Sequence, residues 1–161
     1  MNKTRLAEQL LNAVQNELTT MLGAVDQARD NAVHEQSKPE NQYDTLALEA
    51  AYLAHGQSVR AAELQRQITV LKHFESVDFK CDSAVAVGAV VHLREHSNQL
   101  SQWLWVVPVA GGVELQFEEI NVTTITSDAP LGRKVLGCYE GDEILLRLGS
   151  NEKCFEVVSV I

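Results

Sequence analysis

From Ala7 the chain sets apolar or small residues at Leu11, Val14, Leu18, Met21, Val25, Ala28 and Ala32. After a polar break it does so again at Leu46, Ala50, Leu53, Ala61, Leu64, Ile68 and Leu71, with Gln57 the one polar member of the row. Steps of three and four put such residues along one side of a helix, which is the pattern of a coiled-coil seam. Beyond residue 75 the rhythm shortens to two. Val85, Val87, Ala89, Val91 and Leu93 alternate with other residues, as do Trp103, Trp105, Val107 and Val109. That change of period predicts an α+β chain: two helices over residues 1–75, then a small sheet domain over 76–161, joined at the segment HFESVDFK, 73–80.

Neither helical row is apolar enough to stand alone, and the link between them is short, so the two are expected to pack antiparallel with each seam covering the other. At about 1.5 Å of rise per residue, roughly 30 residues per arm make a rod of about 45 Å. Its tip is the stretch EQSKPENQYDTLALEA, 35–50, which carries Glu35, Glu40, Asp44 and Glu49 around Pro39. Ser37 is placed to cap the second helix, Pro39 fits its first turn, and Glu40 can bond back to the cap and favour the positive end of the helix dipole. Asp44 lies one turn beyond Glu40, so the two carboxylates can share a face. Solvated charge on an exposed tip explains both equally well at this point, and it is the favoured reading of Glu35.

In the second half, β-branched residues crowd the run INVTTIT. Ala110-Gly111-Gly112 makes a turn before VELQFEEI, Gly141-Asp142 makes another, and GSNEK at 149–153 separates the apolar runs 144–148 and 155–161. Within SDAPLGRKVLGC, Ser127 or Asp128 can cap a short helix with Pro130 in its first turn, ending near Gly137. The expectation is a compact antiparallel sheet holding one helix, with Leu131, Val135 and Leu136 facing its core.

Charge restricts function. The 161 residues hold 13 Lys and Arg against 22 Asp and Glu, a formal charge of −9. By part, residues 1–75 carry seven basic and ten acidic groups and residues 76–161 six and twelve. Neither is a cradle for phosphates, so stable binding to free nucleic acid is not expected. Nor does any stretch approach the roughly 20 apolar residues that span a bilayer, and a cytoplasmic protein with no membrane partner is expected.

Other chemistry finds little footing. Cys81, Cys138 and Cys154 are odd in number and widely spaced, suiting reduced thiols better than a metal knuckle or a disulfide framework. His92 and His96 fall in strand and turn, where an i, i+4 spacing does not align two imidazoles, so zinc is not expected. There is no Gly-rich phosphate loop after a strand and no nucleophile elbow. Trp103 and Trp105, flanked by valines, read as core rather than as an aromatic platform. The chain offers no self-contained active site and no cofactor of its own.

Two pieces of this sequence carry a family resemblance. The segment APLGRKVLGCYEGDEI, Ala129–Ile144, holds Pro130, Gly132, Gly137 and the pair Gly141-Asp142. At the tip, Glu40-Asn41 is followed closely by Tyr43. With a two-helix arm ahead of a β-rich domain, these resemble the bacterial Gre transcript-cleavage factors over nearly the whole chain. The resemblance implies an FKBP-like C-terminal domain that binds bacterial RNA polymerase through Asp128, Pro130, Gly132, Arg133, Lys134 and Gly137. It also implies an arm entering the polymerase secondary channel, and a tip of Ser37, Glu40, Asn41, Tyr43 and Asp44 at the active site. Glu40, assisted by Asp44, would there help hold a Mg²⁺ shared with the polymerase, hard carboxylate oxygens being the donors that ion takes.

One position separates two versions of that reading. Family members that stimulate cleavage carry an aspartate three residues before the glutamate of the Glu-Asn pair, where this chain has Ser37. Either Asp44 or Glu35 supplies the second carboxylate, or the chain occupies the channel without promoting hydrolysis. A third reading, outside transcription, is a coiled-coil adaptor whose sheet domain binds another protein.

Overall fold

The computed structural model describes residues 2–34, 45–75, 77–80, 82–149 and 151–161. Glu35, Ser37, Glu40, Asn41, Tyr43 and Asp44 lie outside the described residues, and so does the capping box expected at Ser37 and Glu40. Two long helices open the chain, α1 (Lys3–His34) and α2 (Thr45–Lys72). It divides into two compact units, Asn12–Thr69 and Met1–Leu11 with Val70–Ile161.

In the helical unit Val14, Leu64 and Ile68 are buried, and Glu17 of α1 takes a 2.6 Å hydrogen bond from Arg60 Nη2 of α2. Both partners are half exposed, which limits such a pair to less than about 1 kcal/mol, so the apolar contacts hold the helices together. The seam departs from the expected row in two ways. Leu53 is 67% exposed, while Leu64, Ile68 and Leu71 are buried as expected. On α1 the fully buried apolar residues are Leu6, Leu10 and Val14, of which only Val14 belongs to the expected row, while Ala7, Leu11 and Leu18 are only half buried. The first helix carries two adjacent apolar stripes, and tertiary packing, not periodicity, selects between them.

The second unit is built on one six-stranded sheet. Its strands are β1 (Val90–Glu95), β2 (Ser101–Val107), β3 (Glu114–Phe117), β4 (Ile120–Thr126), β5 (Glu143–Leu148) and β6 (Asn151–Val160), with the helix α3 (Pro130–Val135) between β4 and β5. The spatial order is β3-β4-β2-β1-β6-β5. Four of the five pairings are antiparallel, but β2 runs parallel to β4, with Trp103 beside Val122 and Val107 beside Thr126. The sheet is therefore mixed, correcting the wholly antiparallel expectation. Residues 108–119, which include β3, provide the dozen or so residues a parallel return requires.

One face of the sheet supplies Val91, Leu93, Leu104, Val106, Phe155 and Val157 to a core that α3 closes through Val135, with Leu131 and Leu136 packed alongside. The other face carries Trp105, fully buried, whose Nε1 donates to Gly88 O at 3.2 Å and whose ring lies 5.9 Å from Phe74. Trp103 is only half buried and stacks on His92, ring centres 4.3 Å apart. The run from Val85 does not begin a strand: Gly88 adopts a φ of +101°, the backbone turns there, and pairing starts at Val90. Lys3 is buried as well. Its Nζ donates to Val77 O at 2.6 Å and sits 4.5 Å above the Phe79 ring, a pairing that compensates a desolvated ammonium. Burial lowers its pKa, against the opposing pull of Asp78.

Candidate functional site

The segment between β4 and β5 is organised by close contacts that its residue types alone permit. Pro130 opens α3, where a missing N–H costs nothing, and Ala129 is the N-cap with no side-chain cap bond. Neither Ser127 nor Asp128 caps the helix, because the chain enters it through a tight turn in which Ala129 N donates to Thr126 O at 3.1 Å. Gly132 is buried against that same carbonyl: a Cβ there would lie 2.0 Å from Thr126 O. Only glycine lets the helix approach the end of β4 so closely. Leu136 N donates to Gly132 O, and Gly137, at φ +82°, stops the helix as expected.

Beyond α3 the chain is fastened twice. Gly137 N donates to Val85 O, and Val85 N to Cys138 O, both at 2.8 Å. Then Tyr139 N donates to Asp142 Oδ2 at 2.7 Å, closing a turn in which Gly141 takes a φ of +91°. The signature residues Pro130, Gly132, Gly137, Gly141 and Asp142 thus each have a conformational task. What the segment presents to solvent is Asp128, Pro130, Arg133, Lys134 and Gly137, then the half-exposed ring of Tyr139 with Glu140, Gly141 and Asp142. Gly132 is not presented at all. Cys138 is partly buried, its Sγ directed at Lys134 O, and burial with Asp142 nearby raises its pKa, which disfavours the reactive thiolate.

Beside this segment lies an open, mainly apolar groove of about 400 Å³, lined by Leu104, Gly111, Gly112, Thr124, Thr126 and Ala129. Its rim is pinned by one hydroxyl: Thr124 Oγ1 donates to Ala110 O at 2.6 Å and accepts from Val113 N at 2.9 Å. Ala110 and Gly112 take positive φ values there, so the expected turn is present and forms one wall of the groove. Sequence reasoning missed the groove. Its only trace was Thr124, one of two adjacent threonines at the centre of β4, buried and therefore in need of a partner.

A second polar group borders β1. Arg94 Nη2 donates to Glu156 Oε2 at 2.7 Å, and this bond holds the Glu156 carboxyl below its usual range. Glu95 accepts from Ser97 and from Lys153 and is lowered chiefly by the first. His92 is shifted down by burial and by Arg94, so it favours the neutral imidazole. Among the described residues no three His, Cys, Asp or Glu side chains come together as metal ligands would. No helix of the described residues is long and apolar enough to cross a membrane.

The architecture is thus a two-helix region joined to a mixed six-stranded sheet with one short helix. No family model and no curated protein matches the chain. Among solved structures it is similar to the transcription factor Gfh1, at 20% identity over 93% of this chain and 92% of that one, with a TM-score of 0.41. It is also similar to GreA factor homolog 1 of Thermus thermophilus, at 19% identity over 94% of each chain, TM-score 0.39. A third likeness is to a GreA/GreB prokaryotic transcription elongation factor from Nitrosomonas europaea, at 23% identity over 74% of this chain and 94% of that chain, TM-score 0.38. Likeness at this level fixes neither activity nor partner.

Proposed function

We propose that the chain is an RNA polymerase-binding elongation factor of Gre type, cytoplasmic and without turnover of its own. In this reading residues 1–75 form the arm and residues 76–161 an FKBP-like docking domain. The observation that carries it is the segment Ala129–Ile144. Its proline, its buried glycine and its two left-handed glycines build the α3 turn, beside which Asp128, Arg133 and Lys134 are each exposed. The polymerase is docked through that side, and the tip enters the secondary channel. There Glu40 and Asp44 offer carboxylate oxygens, donors that suit Mg²⁺, to an ion the polymerase holds. That ion would supply charge stabilisation for cleavage of backtracked RNA, while the chain contributes reach and a ligand.

Ser37 favours a second version, in which the arm fills the channel and competes with substrate or with other factors. Two measurements separate the readings. Core polymerase should be retained by immobilised full-length chain and released on Arg133→Glu with Lys134→Glu; no retention at all leaves the adaptor reading. On stalled, backtracked complexes the chain should shorten the RNA 3′ end in a Mg²⁺-dependent way. Glu40→Ala should abolish this while polymerase binding persists. Inhibition without shortening selects the channel-filling version, and cleavage indifferent to Glu40→Ala removes the ligand role.

A further inference from the structure

The sheet ends on one side in β3, four residues long, and on the other in β5, six residues long. Among the described residues β5 pairs only with β6, so its second edge offers backbone donors and acceptors to any strand laid beside it. Which residues face outward follows from the ladder. Val157 N donates to Asp142 O, and hydrogen-bonded pairs alternate in an antiparallel ladder, so Asp142, Ile144, Leu146 and Leu148 turn their backbone toward β6. Glu143, Leu145 and Arg147 turn theirs outward. The same three side chains share the face opposite the core residues Ile144 and Leu146, and all are exposed: Glu143 by 67%, Arg147 by 74% and Leu145 by 42%.

The row reads negative, apolar, positive, and that order is complementary to itself when reversed. We propose that this edge is a self-association surface, on which β5 of a second copy of this chain pairs antiparallel about a two-fold axis through Leu145. Three registers place an outward-facing residue on such an axis. Centring on Glu143 sets two carboxylates against each other, and centring on Arg147 sets two guanidiniums against each other. Centring on Leu145 puts Leu145 against its own copy and each Glu143 opposite Arg147 of the second copy, in hydrogen-bonded pairs throughout. Only that register satisfies charge, apolar contact and backbone together. The present partners of these charges are loose and exposed, Arg147 Nε at 3.6 Å from Glu152 and Glu143 at 3.9 Å from His96, so exchanging them costs little. At the other side β3 is too short to compete, and it runs straight into a turn at Glu118, φ +55°.

The surface is independent of the polymerase reading and is tested without it. Sedimentation equilibrium of the full chain at neutral pH should show a monomer–dimer equilibrium. Arg147→Glu alone and Glu143→Arg alone should each weaken the dimer on the order of tenfold or more, because two symmetry-related pairs turn repulsive at once. An equimolar mixture of the two variants should recover association, since every cross-strand pair is then again of opposite sign. The exchanged double variant, Glu143→Arg with Arg147→Glu, should dimerise like the parent. Thermal melts by circular dichroism check that each variant folds, and the mixture keeps the test valid if one variant is weakened. A parent chain that stays monomeric at about 0.1 mM, or single variants that dimerise as the parent does, overturns the proposal.

Discussion

At the scale of single residues, two glycines of the α3 segment make a controlled comparison. Gly137 has the left-handed φ but open space around its missing Cβ, whereas Gly132 stands against a carbonyl oxygen. Gly137→Ala should cost about 1–2 kcal/mol, the price of a side chain in that conformation. Gly132→Ala should cost about 3 kcal/mol or more, because backbone must move to admit the methyl group. Urea unfolding checks both, and equal costs would mean that α3 slides freely along β4. His92 carries a pH dependence of its own. Its folded pKa is depressed, so below the ordinary imidazole value the unfolded chain binds the proton more readily and stability falls as pH falls through that range toward the folded value. Between pH 7.5 and pH 5.5, His92→Gln should therefore lose less stability than the parent, measured by the same unfolding curves. The expected role of Trp103 and Trp105 as core was half right: Trp105 is buried, while the outer tryptophan became the partner of His92. Burial of Lys3 had no trace in sequence, since the carbonyl that receives it belongs to Val77 and the ring beneath it to Phe79.

At the scale of elements, the existence and kind of most were legible and their alignment was not. Three-four spacing announced α1 and α2, the β-branched run announced β4, and Pro130 with Gly137 bracketed α3. Val14 lies in the seam of α1 as expected, but the first two turns escaped because Leu6-Ala7 and Leu10-Leu11 offer two stripes of equal period, and only packing decides between them. Substitution reads that decision directly. Leu10→Ala should destabilise by about 2–5 kcal/mol, as removal of a fully buried leucine does. Leu11→Ala should cost distinctly less, and Leu53→Ala should stay within about 0.5 kcal/mol. A larger loss at Leu11 than at Leu10 would contradict the observed seam. The parallel contact of β2 with β4 was illegible for a different reason. Alternation along a strand reports which faces are buried and carries nothing about which neighbour runs which way.

At the scale of the whole molecule, a charge of −9 sets what the chain will meet. Its acids outnumber its bases both before and after residue 75, so a short single-stranded RNA should migrate unshifted beside it at about 0.1 M salt. A shift that vanishes with added salt would reveal a basic surface that the composition hides. Recognition, in the function proposed, then rests on local features: Arg133 and Lys134 at α3 and the carboxylates of the tip. The candidate site was legible in proportion to how local it is. The α3 segment could be read because each of its glycines and its proline answers a local backbone demand. The groove could not, since it joins residues of β2, the β2–β3 turn and β4 that come together only in the finished sheet.

The position of β6 between β1 and β5 has a consequence for synthesis. The strand that completes one side of β1 begins at Asn151, long after Glu95 has left the ribosome. At about 5–20 residues per second, β1 waits several seconds with Val91 and Leu93 uncovered on that flank. During that interval a nascent chain shows the cell an unfinished apolar border, and whatever protects new proteins from one another must attend to it until the final hairpin slides into place.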